Sequence, residues 1–414
     1  MIVSVVVVFG AFTALFPARR GVLAALAYPV GWIAGELCYY AIIVEVTLVT
    51  YYVVRDSPLT WRLIVVTILA GAGLVLNLAL VGALVRARGA VERALSAHER
   101  PLVVPRPRED RYGSWLRSAT FVSLHPRGLH VTKNVPYGPH ARHRLDVWRS
   151  SATPLDAPVI FYLHGGAWTF GDKREQGRPM LHEFAARGWI VVTANYRLAP
   201  RDPWPAQIED VTRALAWVKK NVADYGGDPQ SVVVSGGSAG GHLAALLALS
   251  SEDATWRPVD VVDVADWRVA GAIPFYGVLE MTGDERYWRG LGAGIRRLLE
   301  GRIVQRPFEE NPELYRALSP LSRIHEGSPP FLVIQGVVDT LVDVNVARGF
   351  VDRFREVATA PIYYVELPLT QHAFDVTASA RTSATTRAAL AFATDAVVPS
   401  PRGSSEPEER EPGR

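Results

Sequence analysis

The hydrophobic pattern changes character once along the chain. Three apolar runs open it, at residues 2–16, 28–54 and 61–85, and the last two are long enough to cross about 30 Å of hydrocarbon as helices. The first is marginal in length, and it lacks a basic leader and a clean small-residue cleavage site. That favours a short first span over a removable signal peptide, so two or three spans are expected in residues 1–85. From Leu129 onward the period becomes that of alternating strands and helices. Short apolar runs at residues 129–135, 144–148, 159–163, 189–194, 232–235, 269–275, 331–335 and 362–367 read as strands, the first two as a hairpin. Helical stretches at 207–221, 239–249 and 344–357 lie between them. This alternation predicts an α/β domain over residues 129–398, built on a mostly parallel, doubly wound sheet.

Three segments break the alternation. Residues 86–128 read as a linker, opening with a short amphipathic helix and continuing through Pro101, Pro105 and Pro107. More than fifty residues separate the strand ending near Tyr276 from the one starting at Phe331. This is too long for a plain connection, and its Arg, Trp, Tyr and Leu content predicts an inserted cap at about 277–328. The tail 399–414, with four prolines among charged and small residues, is expected to be disordered.

Charge sharpens the first boundary. Of 44 basic and 41 acidic side chains in 414 residues, only seven (Arg19, Arg20, Glu36, Glu45, Arg55, Asp56 and Arg62) fall before residue 86. Arg86, Arg88, Arg93 and Arg100 follow the third run, so the positive-inside bias places the globular domain on the cytoplasmic side of an inner or plasma membrane. Glu36 and Glu45 are nine residues apart, on opposite faces of one helix. They are therefore expected to act separately, Glu36 at an interface and Glu45 facing another span.

Composition removes several functions. A hydrophobic content of 49% excludes a disordered chain, and the single cysteine, Cys38, excludes a disulfide framework, a thiolate zinc site and a Cys-x-x-Cys redox pair. A net charge of +3, with arginines scattered rather than gathered among aromatics, argues against a nucleic-acid partner. His125, His130, His140 and His143 lie close together, but no acid or cysteine completes a familiar ligand spacing, so no metal is expected there.

The chemistry is concentrated at residues 232–243. A β-branched run ends in Gly236-Gly237-Ser238-Ala239-Gly240 and passes directly into a helical stretch. Glycines at those flanks allow a turn sharp enough to expose the Ser238 hydroxyl above a sheet, with the helix N-terminus offering a backbone N–H. A serine hydroxyl needs a base, and the base an orienting acid. In the chain order Ser, acid, His, the candidates are Asp339, after strand 331–335, and His372, after strand 362–367, with Asp343 as a reserve acid. Leu163-His164-Gly165-Gly166-Ala167-Trp168 supplies an early glycine loop, from which Gly165 and Gly166, with Ala239, are the expected oxyanion donors. His164 is expected to fix that loop, and His242 to pack beneath Ser238.

From about His130 to Val397, roughly two thirds of the chain, the sequence resembles the α/β-hydrolase fold, specifically the hormone-sensitive-lipase-like (HGGG) esterases. The resemblance rests on His164-Gly165-Gly166-Ala167-Trp168, on Asn195-Tyr196-Arg197-Leu198-Ala199-Pro200 with Trp204-Pro205-Ala206, and on Gly226-Gly227-Asp228-Pro229 leading to the Ser238 turn. With the apolar N-terminal region, it also resembles bacterial membrane-associated carboxylesterases. It implies hydrolysis of small-molecule or lipid-like carboxylic esters through an acyl-enzyme, without metal or organic cofactor. Arylformamidase-type amide hydrolysis, acyl transfer and a non-catalytic receptor on the same fold are the rival functions. Two positions depart from the family pattern. Ala167 replaces the third loop glycine, and Gly237 stands where this branch often has Asp.

Overall fold

The computed structural model describes residues 1–18, 21–55, 60–105, 128–151, 153–251, 253–261, 264–289 and 292–398. The expected tail 399–414, linker residues 106–127, His125 and the Arg19-Arg20 pair lie outside them.

Three helices come first: α1 (Ile2–Leu15), α2 (Gly21–Arg55) and α3 (Trp61–Ser96). Within them, Ala27–Arg55 and Trp61–Ser96 are long and apolar enough to cross a membrane. The three helices pack on one another through Ala11, Ala14, Cys38, Leu80 and Leu84. The small residues Ala11, Ala14 and Cys38 let the backbones approach closely there. Glu45 lies against α3, where a Cβ on Gly73 would fall 1.8 Å from its Oε1. Glu36 projects elsewhere, onto the globular domain. Between the two acids the backbone leaves helical dihedrals at Leu37 (φ −116°, ψ 15°).

α3 runs straight through the boundary expected at Val85. The arginines after Val85 mark the end of the apolar run, not of the helix. Beyond that run, Ala87, Val91 and Leu95 recur every four residues and are buried against the sheet. The last turns of a membrane-length helix thus form part of the globular core.

The domain is built on eight strands: β1 (Leu129–Pro136), β2 (Arg144–Ser150), β3 (Ala157–Leu163), β4 (Ile190–Ala194), β5 (Gly227–Gly237), β6 (Gly271–Phe275), β7 (Phe331–Gly336) and β8 (Ile362–Leu367). Their order is β1-β2-β4-β3-β5-β6-β7-β8. β2 is antiparallel to both β1 and β4, and every later pairing is parallel. Alternation along the strands divides the core. Val159, Phe161 and Leu163 face one layer, and Ile160 and Tyr162 face the other. The first layer holds α5 (Ala206–Asn221), α6 (Ala239–Leu249) and α7 (Val344–Val357). The second holds α4 (Arg178–Ala186), α8 (Ala380–Val397) and the end of α3. Between β6 and β7 the chain forms several short helical turns, and Trp288, Leu299, Ile303 and Tyr315 join them to the first layer.

Candidate active site

The site begins where β5 meets α6. Ser238 sits between them with φ 56° and ψ −120°, a conformation that costs a non-glycine residue about 1–3 kcal/mol and survives only where its neighbours enforce it. Glycine is obligatory beside it. A Cβ on Gly240 would lie 2.0 Å from the Leu163 carbonyl oxygen of the neighbouring strand. The Ser238 N–H donates to Phe275 O at 3.0 Å, so β6 fixes the turn from the other side. Ser238 itself remains partly exposed.

Asp339 and His372 project from the loops after β7 and β8, on the same sheet edge. The Asp339 Oδ2 lies 2.7 Å from His372 Nδ1. The acid is fully engaged: Oδ1 accepts the N–H groups of Leu341 and Val342, both at 2.9 Å, and Oδ2 accepts Gln335 Nε2 at 3.0 Å. This arrangement presents Nδ1–H to the carboxylate and leaves Nε2 for other chemistry. Asp343 is used differently. It caps α7, accepting Asn345 N–H at 2.9 Å, and so serves the helix.

The early glycine loop is braced from below. His164 is buried, donates Nδ1–H to Gly165 O at 2.7 Å, and stacks on Tyr196 with ring centroids 4.3 Å apart. The Tyr196 hydroxyl returns a bond to His164 O at 2.8 Å. Asn195 holds the following turn, accepting Lys173 N–H and donating to Asp172, both at 2.7 Å. The motif at 195–200 is thus a cradle for the loop. Gly166, Ala167 and Trp168 all have positive φ. The amide expected as an oxyanion donor from Gly165 is spent in this structure: it donates to Gln176 Oε1 at 2.7 Å. A backbone amide has one hydrogen, so Gly166 and Ala239 are left as the available donors of the expected three.

His242, one turn past Ser238, is buried among Trp168 and Trp204. It accepts Trp168 Nε1 at 3.2 Å and donates Nε2–H to Leu318 O at 2.8 Å. Burial pushes both His164 and His242 down to about 4, which keeps them neutral. His143 is also committed, with Nε2 2.9 Å from Asp210.

Several residues around His372 carried no sequence signal. Tyr276 sits 4.5 Å, centroid to centroid, from the His372 ring, and its hydroxyl donates to buried Asp375. Burial raises Asp375 to about 6. Trp32 and Tyr28, from α2, reach the same loop.

A mostly parallel sheet carrying a strained serine at the β5–α6 turn, and an acid–histidine pair at the ends of β7 and β8, defines an α/β-hydrolase. Residues 145–354, half of the chain, match the BD-FAE family model, and the chain belongs to that family. It is 44% identical over 274 residues to the "Probable carboxylic ester hydrolase LipM" of Mycobacterium tuberculosis, covering 66% of this chain and 62% of that protein. It is 42% identical over 260 residues to the esterase LipQ of the same organism, covering 62% and 60%. The chain thus spans about three fifths of the length of these relatives. Among solved structures, a thermophilic esterase of Thermogutta terrifontis aligns with TM-score 0.53 and 25% identity over 67% of this chain and 95% of its own.

Proposed function

We propose that the protein is a membrane-anchored serine carboxylesterase. Ser238 Oγ attacks the acyl carbonyl as His372 Nε2 takes its proton, and Asp339 holds the imidazolium that forms. The N–H groups of Gly166 and Ala239 stabilise the oxyanion. His372 then protonates the departing alcohol, and the same nitrogen activates a water that hydrolyses the acyl-enzyme and frees Ser238. The reading rests on one observation above the others, the 2.7 Å Asp339–His372 pair on the sheet edge that carries strained Ser238. The names of the relatives support ester hydrolysis as the reaction.

Helices α2 and α3 supply the anchor, and the arginines after the second long helix favour a cytoplasmic domain. Phe170, Leu341 and Val376 are exposed apolar residues on the loops that carry the oxyanion glycines, Asp339 and His372 respectively. Such a rim suits an amphipathic ester better than a fully polar one. The test is hydrolysis of p-nitrophenyl esters from acetate to laurate by detergent-purified protein beside Ser238→Ala. Activity confined to the wild type supports the reading, and added alcohol acceptors separate hydrolysis from acyl transfer. Equal activity in the variant, or none in folded wild type, removes it.

A further inference from the structure

The loop that carries His372 is held at both ends. Leu369 and Ala373 bracket the histidine with φ of 48° and 56°, left-handed conformations that non-glycine residues keep only when surroundings impose them. The carbonyl of each is gripped by a side-chain donor. Arg381 Nη2 donates to Leu369 O at 3.0 Å, and Trp32 Nε1 donates to Ala373 O at 3.0 Å.

Both grips lead back to helix α2. Trp32 belongs to it directly. Arg381 is 1% exposed and could not be buried charged without a partner; Glu36 of α2, 2% exposed, provides one at 2.5 Å. Tyr28 adds the edge of its ring to the His372 imidazole, with centroids 6.1 Å apart. Tyr28, Trp32 and Glu36 recur every four residues, so one stripe of α2 makes all three contacts. A helix needing only to pack on the domain would present apolar side chains there. This stripe instead places a donor and a compensated charge on the two backbone oxygens flanking His372.

We infer that α2 is a working part of the hydrolytic site: Trp32 directly, and Glu36 through Arg381, are positioning residues that hold the His372 loop in its reactive conformation. The inference rests on the reading of His372 as general base. It makes activity depend on the N-terminal region for geometry as well as for localisation. A misplacement of the imidazole by a fraction of an ångström would lower turnover without altering how substrate is bound.

The test uses the full-length protein in detergent with a soluble p-nitrophenyl ester. Trp32→Phe keeps the aromatic ring and removes only the N–H, whereas Glu36→Gln removes the compensating charge. Each is expected to lower kcat by about tenfold or more, with KM within about twofold of wild type and, for Trp32→Phe, an unchanged thermal midpoint. Glu36→Asp, which retains the charge, should recover part of the loss seen in Glu36→Gln. Wild-type kcat in both variants would overturn the inference, as would a loss that only tracks a lowered midpoint. If Glu36→Gln does not fold, Trp32→Phe decides alone. Failure of the underlying reading is distinct, because it would appear as Ser238→Ala activity equal to that of the wild type.

Discussion

A Cβ on Gly237 would lie 2.7 Å from the Tyr276 hydroxyl and 3.1 Å or less from two carbons of its ring. The departure from the family pattern before the nucleophile therefore has a local cause, since the space a side chain would fill holds Tyr276. That ring in turn packs against His372 and bonds Asp375.

Restoring the family's acid, Gly237→Asp, should consequently be harmful. Overpacking beside a buried ring costs about 1–3 kcal/mol, and displacement of Tyr276 would disturb the imidazole it touches. The expected result is a thermal midpoint several degrees lower together with reduced ester hydrolysis. A variant with wild-type midpoint and activity would show that the ring is not held there.

The two acids of the β7–α7 loop should separate cleanly. Asp339→Asn leaves the hydrogen-bonding shape but removes the charge facing His372 Nδ1, and kcat is expected to fall by about ten-thousandfold. Asp343→Ala removes a helix cap worth about 1 kcal/mol and should leave kcat near wild type. Comparing kcat and thermal midpoint for the two variants checks both assignments at once.

Stability should fall as the solution is made acidic. His164 and His242, held down to about 4 by burial, stay neutral in the fold while the unfolded chain takes up protons below the ordinary histidine value of about 6.5. Their contribution is complete above that value and is lost between about 6.5 and 4, at up to about 3 kcal/mol each. Asp375 opposes them. Raised to about 6, it binds a proton in the fold before the unfolded carboxyl does, so its contribution fades as pH rises toward 6. Two histidines outweigh one carboxyl, and thermal midpoints measured from pH 7 to 4.5 should decline. His242→Gln should flatten the decline, and a midpoint that holds steady or rises on acidification would contradict the account.

Much of the architecture was legible because it is local. Short apolar runs gave all eight strands, and the Ser238 turn announced itself through the glycines at 236 and 240, where an added Cβ would lie 2.5 Å from the Gly240 backbone and 2.0 Å from Leu163 O, respectively. α4 and α8 were not singled out. α4 is only nine residues long, too short to establish a period, and α8 is rich in alanine and threonine, with Arg381 and Arg387 buried within it, so it shows no clean apolar stripe. The boundary at Val85 misled because a change from apolar to charged residues does not end a helix: α3 continues to Ser96, with Ala87, Val91 and Leu95 turned to the sheet. Nothing local could have joined Trp32 to Ala373, 341 residues away, or shown that the Gly165 amide faces Gln176.

The most direct measurement is to treat the full-length protein with a fluorophosphonate probe and map the adduct by peptide mass. A serine made nucleophilic by His372 and Asp339 should carry a single phosphonyl group on Ser238, and labelling should disappear in His372→Ala. Folded protein that takes no label, or takes it on another serine while Ser238→Ala still hydrolyses esters, would contradict the assignment of this site.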